Sequence, residues 1–411
     1  MRRRLLANTV ALTVVQAVDY IVPFIVLVHL TKTLGLEVYG VLAFAQGIIT
    51  ISGVLLDFGY GLSGTNKISK NRIRKKYISK LVGGIYAVKL CLFLLCVTLI
   101  YIYSITTEKY SDHKIIFLLS LIPIFMQGFL PSWFFHGTEK IHLFALSSIL
   151  AKIIFASTAI LFVNNASDYF MIPVLNGVGY FFALVTSIYF IYKMGYSIKI
   201  PSPRIFAYSY KFTKQFFASR VAVASYMNGA IIVLGLVAQP AVVAVYSMAE
   251  QLYKAMQSAL GPVAVALYPY MTNDKDFNLM LKLILGIVGL TIIGAFVGFY
   301  AAPTLVEIVF GQTWLSSIPV LNIFLVAIVI HAAAVMTGYP LAALVNKLET
   351  ANVSVMTGAI VYFIILFLIF VFDLVTPSYL AMAMLISELS VLFHRFLVLV
   401  PLAIRQSSNV I

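Results

Sequence analysis

Residues 283–301, LILGIVGLTIIGAFVGFYA, contain no charged side chain, and this stretch decides the fold class. A helix that spans the hydrocarbon core of a bilayer needs about 20 mainly apolar residues. Comparable runs recur along the whole chain, since 62% of its 411 residues are hydrophobic and only 10% are charged. A soluble domain has about 45–50% and about 25%, respectively. We therefore predict an all-α polytopic membrane protein.

Twelve apolar runs are long enough to span, six on each side of a polar stretch near the middle of the chain. They cover residues 8–31, 38–60, 81–104, 114–135, 143–163, 169–192, 217–238, 241–270, 283–301, 317–343, 351–372 and 377–400. The start, Arg2-Arg3-Arg4 followed by an apolar stretch, is typical of a signal peptide. Because that stretch continues to about Leu30 without a clear small-residue cleavage site, we interpret it as an uncleaved first helix.

The basic residues predict the orientation in the membrane. With the amino terminus inside, 21 of the 28 Lys and Arg residues lie in one set of loops, and the opposite set holds only Lys32, Lys109 and Lys114. Cytoplasmic loops of membrane proteins are enriched in Lys and Arg. We therefore predict a multi-pass protein of the bacterial inner (plasma) membrane with both termini in the cytoplasm. The net charge of +14 is explained by these loops, and no nucleic acid partner is expected.

The polar stretch 193–216 contains Pro201 and Pro203 and predicts a division of the chain. We expect an N-terminal six-helix lobe over 1–192, a cytoplasmic linker over 193–216 and a C-terminal six-helix lobe over 217–411. A shift of 207 positions aligns Val38-Tyr39 with Val245-Tyr246 and Thr65-Asn66 with Thr272-Asn273. These few identities are weak evidence of an internal duplication, but they agree with the span count.

Charged residues within predicted spans are the candidate functional residues, because a charge at mid-bilayer costs a few kcal/mol. Glu250 and Lys254 are four apart on one helix, in the favourable order for an ion pair, so they form either a structural pair or part of a site. Asp19, Lys89, Lys152 and Glu388 have no evident local partner and predict a cavity lining or a coupling role. His331 is either a polar packing residue or a proton carrier. Asp57, His394 and Arg395 lie nearer the cytoplasmic ends of their spans, and we expect their side chains to extend to the lipid headgroups.

Signatures of soluble catalysis are absent from the sequence. It contains no phosphate-binding loop ending in Lys-Ser/Thr, no paired-His zinc motif and no nucleophile elbow. The two cysteines, Cys91 and Cys96, are five apart and point to different sides of a helix, which argues against a disulfide or a metal site. We expect no enzyme, no cofactor and no metal.

Four segments resemble a known family, the Wzx-type polysaccharide flippases. Asp57-Phe-Gly-Tyr-Gly-Leu-Ser-Gly-Thr-Asn-Lys-Ile-Ser69 is similar to their "DFGF-x-LSAT-x-x-IS" segment. Leu130-Pro-Ser-Trp-Phe-Phe-His-Gly-Thr-Glu-Lys140 is similar to "P-x-W-F-F-Q-G-x-E-K", with His136 in place of the usual Gln. The region from Tyr246 to Met271 resembles the start of their second half, and Phe310-Gly311 with Trp314 fits "F-G-x-x-(Y/W)".

The resemblance implies two six-helix lobes in a V shape with alternating access between them. It also implies the cargo, an undecaprenyl-diphosphate-linked oligosaccharide for O-antigen or a related polysaccharide, moved from the cytoplasmic to the periplasmic leaflet. Coupling to an ion gradient is expected, and so are a polysaccharide polymerase and chain-length proteins as partners.

The site assignment does not come from the family motifs and depends only on placement within the spans. Lys89, Lys152 and Lys254 are the candidates for attracting the diphosphate as ammonium charges. Asp19, Glu250 and Glu388 are the candidates for the protonatable partner that couples movement to the ion gradient.

Two other functions compete with the flippase interpretation. A drug or cation antiporter of the same superfamily would favour an anionic cavity, whereas bases and acids near mid-span are balanced here. A membrane polysaccharide polymerase or ligase needs a sizeable periplasmic loop bearing Arg or His, whereas the outside loops of this chain are short.

Overall fold

The computed structural model describes the backbone of residues 2–273 and 276–408. It describes their side chains except those of residues 2–20, 215–216, 218–225, 227, 269 and 406–408. The regular structure of these residues is helical and contains no strand, as the sequence predicts. Contacts divide the chain into two compact units, Met1–Ile232 (unit 1) and Val233–Ile411 (unit 2).

Among the described residues, unit 1 contains nine complete helices and the part of a tenth helix up to Ile232; the rest of that helix belongs to unit 2. They are α1 Arg2–Asp57, α2 Tyr60–Ser69, α3 Lys75–Thr106, α4 Lys114–Leu119, α5 Leu121–Gly128, α6 Ser132–Gly137, α7 Ile141–Phe162, α8 Met171–Lys193, α9 Pro203–Lys211 and α10 Lys214–Val237. Short 3-10 turns at Glu108–His113 and Ala166–Phe170 precede α4 and α8.

Unit 2 continues with six further helices. They are α11 Pro240–Asn273, α12 Phe277–Phe310, α13 Ile318–Thr337, α14 Tyr339–Leu344, α15 Leu348–Val371 and α16 Pro377–Ser408. A 3-10 turn at Gln312–Ser317 joins α12 to α13. α10 ends at Val237 and α11 begins at Pro240, so a short turn separates the predicted runs 217–238 and 241–270.

Nine helical segments of the described residues are long and apolar enough to cross a membrane. The first, Ile21–Ser69, covers parts of two predicted spans. They are separated where the backbone leaves helical geometry at Gly35 (φ 71°, ψ 174°), a conformation that suits glycine. α11 is not among the nine, and it is more polar than they are because it carries Glu250, Lys254 and Gln257. In α10 the described apolar part is the shorter segment Asn228–Val237.

The predicted linker lies within unit 1 and packs against its helices. The carbonyl of Lys199 approaches Gly83 of α3 so closely that a Cβ on that glycine would lie 1.6 Å from the oxygen. The Tyr60 hydroxyl donates to the carbonyl of Ser209 in α9 over 3.1 Å, and the Ser63 and Thr213 hydroxyls are 2.8 Å apart. Residues 193–216 are therefore an integral part of unit 1, and the assignment of lobes to the chain stays a prediction.

One corner recurs in both units at the 207-residue shift. α6 and α14 have the same length, and each is followed by a residue with positive φ, Glu139 (58°) in unit 1 and Asn346 (56°) in unit 2. The next residue, Lys140 or Lys347, donates its N–H back to Phe135 or Ala342 over 2.9 and 2.8 Å. The same backbone bond follows Gly195 and Asp373, where helices also end, so this corner agrees with a duplication and does not establish one.

Candidate functional site

Five of the six predicted site residues have described side chains. Asp19 lies outside the described side chains. Lys89 and Lys152 belong to unit 1, whereas Glu250, Lys254 and Glu388 belong to unit 2. The polar contacts of these three unit 2 residues lie on α11, α13 and α16, and the three helices pack against one another.

Glu250 and Lys254 form an ion pair on α11. Lys254 Nζ lies 2.8 Å from Glu250 Oε2, one helical turn away. The Glu250 side chain is buried, with 6% exposed, and the Lys254 side chain is 35% exposed. The pair therefore neutralises the more deeply buried carboxylate, as the spacing in the sequence predicts. Whether either residue contacts cargo or an ion stays a prediction.

Glu388 of α16 is also buried, and it meets His331 of α13. Glu388 Oε1 lies 3.0 Å from His331 Nδ1, and their side chains are 8% and 20% exposed. Gln257 of α11 places its Nε2 3.2 Å from the same ring nitrogen. Three helices thus contribute one polar side chain each to a cluster that we call the His331 cluster (Gln257, His331 and Glu388).

The sequence gives a partial indication of this cluster. His331 and Glu388 stand out as ionisable residues inside apolar runs, but Gln257 was missed because uncharged polar residues are common in membrane helices. One signal was available, since Gln257 follows Glu250 by seven residues and therefore lies on the same face of α11. The partner of Glu388 is 57 residues away in the chain, and no local pattern identifies such a pair.

A group of aromatic rings on α11 and α13 reaches the His331 cluster through Tyr253. Tyr253 stacks on Phe324 with ring centroids 4.7 Å apart and meets the His331 ring edge-on at 6.4 Å. Tyr246 also contacts Phe324, at 5.8 Å. An apolar surrounding makes an unpaired charge costly, so the pairing of Glu388 with His331 fits its burial.

Lys89 is held by the backbone of unit 1. Its side chain is buried, and Nζ donates to the carbonyl of Gly128 over 2.6 Å. Gly128 is the last residue of α5, so the ammonium group meets the negative end of a helix dipole. Lys152 is half-buried on α7.

Arg395 is a buried structural residue. The sequence predicted that its side chain reaches the headgroups, and its burial contradicts that prediction. It is 7% exposed. Its Nε donates to Ser354 Oγ over 2.7 Å, its Nη2 donates to the carbonyl of Ala351 over 3.2 Å, and its Nη1 contacts the carbonyl of Ala334. The guanidinium group therefore links α16 to α13 and α15, and its fixed fork of donors explains why an arginine serves here.

The first two segments with motif resemblance, 57–69 and 130–140, pack together in unit 1. Trp133 of α6 is fully buried, and its carbonyl accepts a hydrogen bond from Thr65 of α2 over 3.2 Å. The Asp57 carboxylate caps α2 by accepting from the Gly61 N–H over 3.1 Å. His136, which departs from the usual Gln, is exposed at the end of α6, so its replacement disturbs no core packing.

Unit 2 also has an apolar groove of about 520 Å³ along α12 and α16. Leu281, Leu285, Leu389, Phe393 and Phe396 are among its lining residues. Its walls carry almost no polar surface, and none of the predicted site residues lines it. Among the described residues, no group of three or more His, Cys, Asp or Glu is placed to hold a metal ion.

Comparison with known proteins identifies a family and relatives whose descriptions agree with one another. A family model described as "Polysaccharide biosynthesis protein" matches residues 5–274. A protein of Escherichia coli (strain K12) described as an O-antigen transporter is 26% identical over 326 residues, which are 77% of this chain and 78% of that protein. A protein of Shigella dysenteriae with the same description is 26% identical over 345 residues, 81% of this chain and 85% of that protein.

Two solved structures share the fold. The lipid II flippase MurJ, in an inward closed conformation, superposes with a TM-score of 0.74 at 14% identity, covering 95% of this chain and 87% of MurJ. An inward-facing multidrug resistance transporter of the MATE family gives a TM-score of 0.70 at 11% identity, covering 96% and 95%. The predicted fold class, about twelve membrane helices in two six-helix lobes, is thereby confirmed.

Proposed function

The chain belongs to the polysaccharide biosynthesis protein family, and from that premise we propose that it is a flippase for lipid-linked oligosaccharides. The cargo would be undecaprenyl-diphosphate-linked repeat units of O-antigen or a related polysaccharide. It would move them from the cytoplasmic to the periplasmic leaflet by alternating access, coupled to an ion gradient. The observation that carries the proposal is the family match over residues 5–274, and the descriptions of the two bacterial relatives support it.

The chemistry of this cargo explains why a protein is needed. Sugars and a diphosphate lose their hydration in hydrocarbon, and without replacement hydrogen bonds each polar group costs several kcal/mol. The polyprenyl tail has no such barrier and can stay in an apolar surrounding. The groove of about 520 Å³ along α12 and α16 is apolar and suits a hydrocarbon chain.

Lys89, Lys152 and Lys254 remain our proposed contacts for the diphosphate. Lys254 is more accessible than Lys89, since 35% of its side chain is exposed and Lys89 is buried. Lys89 would have to release the carbonyl of Gly128 before it met a phosphate. Asp19, Glu250 and Glu388 remain the proposed ion-coupling residues.

The drug or cation antiporter is the second candidate, and the likeness to the MATE transporter supports only its fold. An organic cation needs an acid that is available to it. Both described acids of the predicted site already contact a basic side chain, Glu250 with Lys254 and Glu388 with His331. These contacts favour the flippase. We do not propose a polymerase, a ligase or any other catalyst.

The proposed setting is the bacterial inner membrane, with both termini in the cytoplasm. The polymerase and the chain-length proteins that act on the same repeat units are proposed partners. They would receive the cargo after it reaches the periplasmic leaflet.

A deletion strain tests the proposal. We expect lipid-linked repeat units to accumulate on the cytoplasmic leaflet, surface polymer to be lost, and both to recover on expression of the wild-type chain. Accumulation on the periplasmic leaflet would contradict flipping and indicate a polymerase instead. Purified protein in liposomes gives the direct measurement, the rate at which a fluorescent lipid-linked sugar becomes accessible on the opposite leaflet.

A further inference from the structure

The His331 cluster makes conflicting demands on one atom. His331 Nδ1 lies 3.0 Å from a carboxyl oxygen of Glu388 and 3.2 Å from the amide nitrogen of Gln257. An amide nitrogen only donates and an ionised carboxylate only accepts, while a ring nitrogen does one or the other according to its proton. The three groups therefore cannot all be satisfied in a single protonation state without a change at one of them.

Two arrangements resolve this conflict. With a proton on Nδ1, the imidazole donates to the Glu388 carboxylate, and Gln257 turns its amide so that Oε1 faces the ring. With the proton on Glu388, its O–H donates to the single lone pair of the bare Nδ1, and the Gln257 N–H makes a weaker second contact with the same nitrogen. The orientation of the Gln257 amide thus depends on where the proton lies, and Gln257 belongs to a different helix from either partner.

Burial makes the proton count of the pair important. When one proton is added to a neutral imidazole and an ionised carboxylate, the pair of Glu388 and His331 carries no net charge. Without that proton they carry one negative charge near the ring of Tyr253, which stacks on Phe324. Such a charge is costly in an apolar surrounding and is stabilised when water reaches it. Binding and release of the proton therefore follow hydration of the cluster.

Other ionisable groups lie on the helices of unit 2, and several of them have partners outside the cluster. Tyr253 faces His331 edge-on. Lys254 contacts Glu250, His394 contacts Thr357, Arg395 contacts Ser354, and Glu307 contacts Gln312. The remaining ionisable side chains of the six helices of unit 2 that the structure describes are Tyr246, Tyr268, Tyr270, Lys282, Tyr300, Tyr339, Glu349, Tyr362, Tyr379 and Arg405.

We propose that Gln257, His331 and Glu388 form a binding site for a single proton, which comes from the water on one side of the membrane and leaves to the other. A metal cation fits less well, because hard cations prefer several oxygen ligands and this cluster offers one carboxylate, one amide and a ring nitrogen. Use of the site to drive transport depends on the proposed flippase function, whereas proton binding itself does not. Among the predicted coupling residues this selects Glu388, since the Glu250 charge is balanced by Lys254.

Infrared difference spectroscopy on the full chain in lipid nanodiscs tests the site. Spectra are compared between about pH 5 and about pH 8, the range in which histidine changes charge. We expect a carboxylic acid C=O band that changes with pH in the wild type, is lost in Glu388→Gln and is shifted in His331→Gln. The matched control Glu349→Gln, an exposed carboxylate of the same unit, should leave the band unchanged. Gln257→Met should remove a side-chain amide signal that changes together with the band.

Three results would overturn the proposal. The first is a band that survives both Glu388→Gln and His331→Gln, and the second is a wild-type protein in which neither a carboxyl band nor an imidazole band changes with pH. The third is a band that shifts when sodium chloride replaces choline chloride at constant pH, which would indicate a sodium site. If Glu388→Gln does not fold, His331→Gln alone decides, because an unshifted band there contradicts the site. A normal proton signal in a protein that moves no lipid-linked sugar would overturn the flippase and leave the proton site standing.

Discussion

Arg72 and Glu139 form an ion pair that links the loop after α2 to the corner after α6, with Nη2 2.7 Å from Oε1. Arg72 also donates from Nε to the carbonyl of Gly137 over 2.9 Å. The pair lies on the predicted cytoplasmic side, and both side chains are substantially exposed. It joins the chain just after the first motif segment to Glu139 of the second, so Glu139 contributes to the packing of this corner.

The Arg72–Glu139 pair predicts a pH dependence of stability. The hydrogen bond from Arg72 and its charge hold the pKa of the Glu139 carboxyl below its ordinary value. A lowered carboxyl pKa adds stability that is present above the ordinary pKa and is lost as pH falls through the lowered one. We expect Glu139→Gln to lower the unfolding temperature slightly at neutral pH, because an exposed pair contributes little, and to have no effect at a pH below both values. A difference that persists unchanged in acid would contradict this origin.

Gly83→Ala tests whether the segment 193–200 is bound to α3. A Cβ at Gly83 would lie 1.6 Å from the Lys199 carbonyl oxygen, and backbone atoms cannot yield as a side chain does. We expect a destabilisation of about 1–3 kcal/mol, the usual cost of overpacking, or more if the segment detaches. Thermal unfolding in nanodiscs measures it.

Gly286→Ala is the matched control for this change. It makes the same replacement in α12, where a Cβ would meet nothing within 4 Å. It should be neutral or slightly stabilising, because alanine favours a helix by up to about 1 kcal/mol over glycine. Equal effects of the two changes would show that the close approach of Lys199 to Gly83 is not maintained.

Ser354→Ala tests the buried arginine of unit 2. The change leaves the Nε–H of Arg395 without its 2.7 Å acceptor in a place where water has little access. A hydrogen bond to a charged group is worth about 1.5–3 kcal/mol, and we expect a loss of stability of that size. Ser390→Ala is the control, because the Ser390 hydroxyl donates to the carbonyl of Ser387 in its own helix. A loss no larger than that of Ser390→Ala would contradict the anchoring role of Arg395.

The sequence predicts the helices of this fold well and their side-chain partners poorly. Apolar runs define most spans because lipid demands length and composition, and both are local properties. The Glu250–Lys254 pair follows from spacing on one helix. The Glu388–His331 contact and the three-way bonding of Arg395 join helices far apart in the chain, and their formation depends on helix rotation and packing. Arg395 shows the consequence most clearly, since its position near a span end suggested exposure and the fold buries it.

Lys89 and Lys152 test the proposed path of the diphosphate. If their ammonium groups stabilise the cargo, Lys89→Met and Lys152→Met should each lower polymer export about tenfold or more, because a charge-assisted hydrogen bond is worth about 1.5–3 kcal/mol. Lys76→Met, an exposed lysine near the start of α3, is the matched control and should export normally. Yield and monodispersity of the purified variants are measured in parallel, since Lys89 also bonds to the Gly128 carbonyl. Wild-type export in both test variants would show that neither lysine binds the diphosphate. If Lys89→Met loses both export and folded protein, while Lys152→Met loses export and stays folded, Lys89 is assigned to the structure of unit 1 and Lys152 remains the cargo contact in that unit.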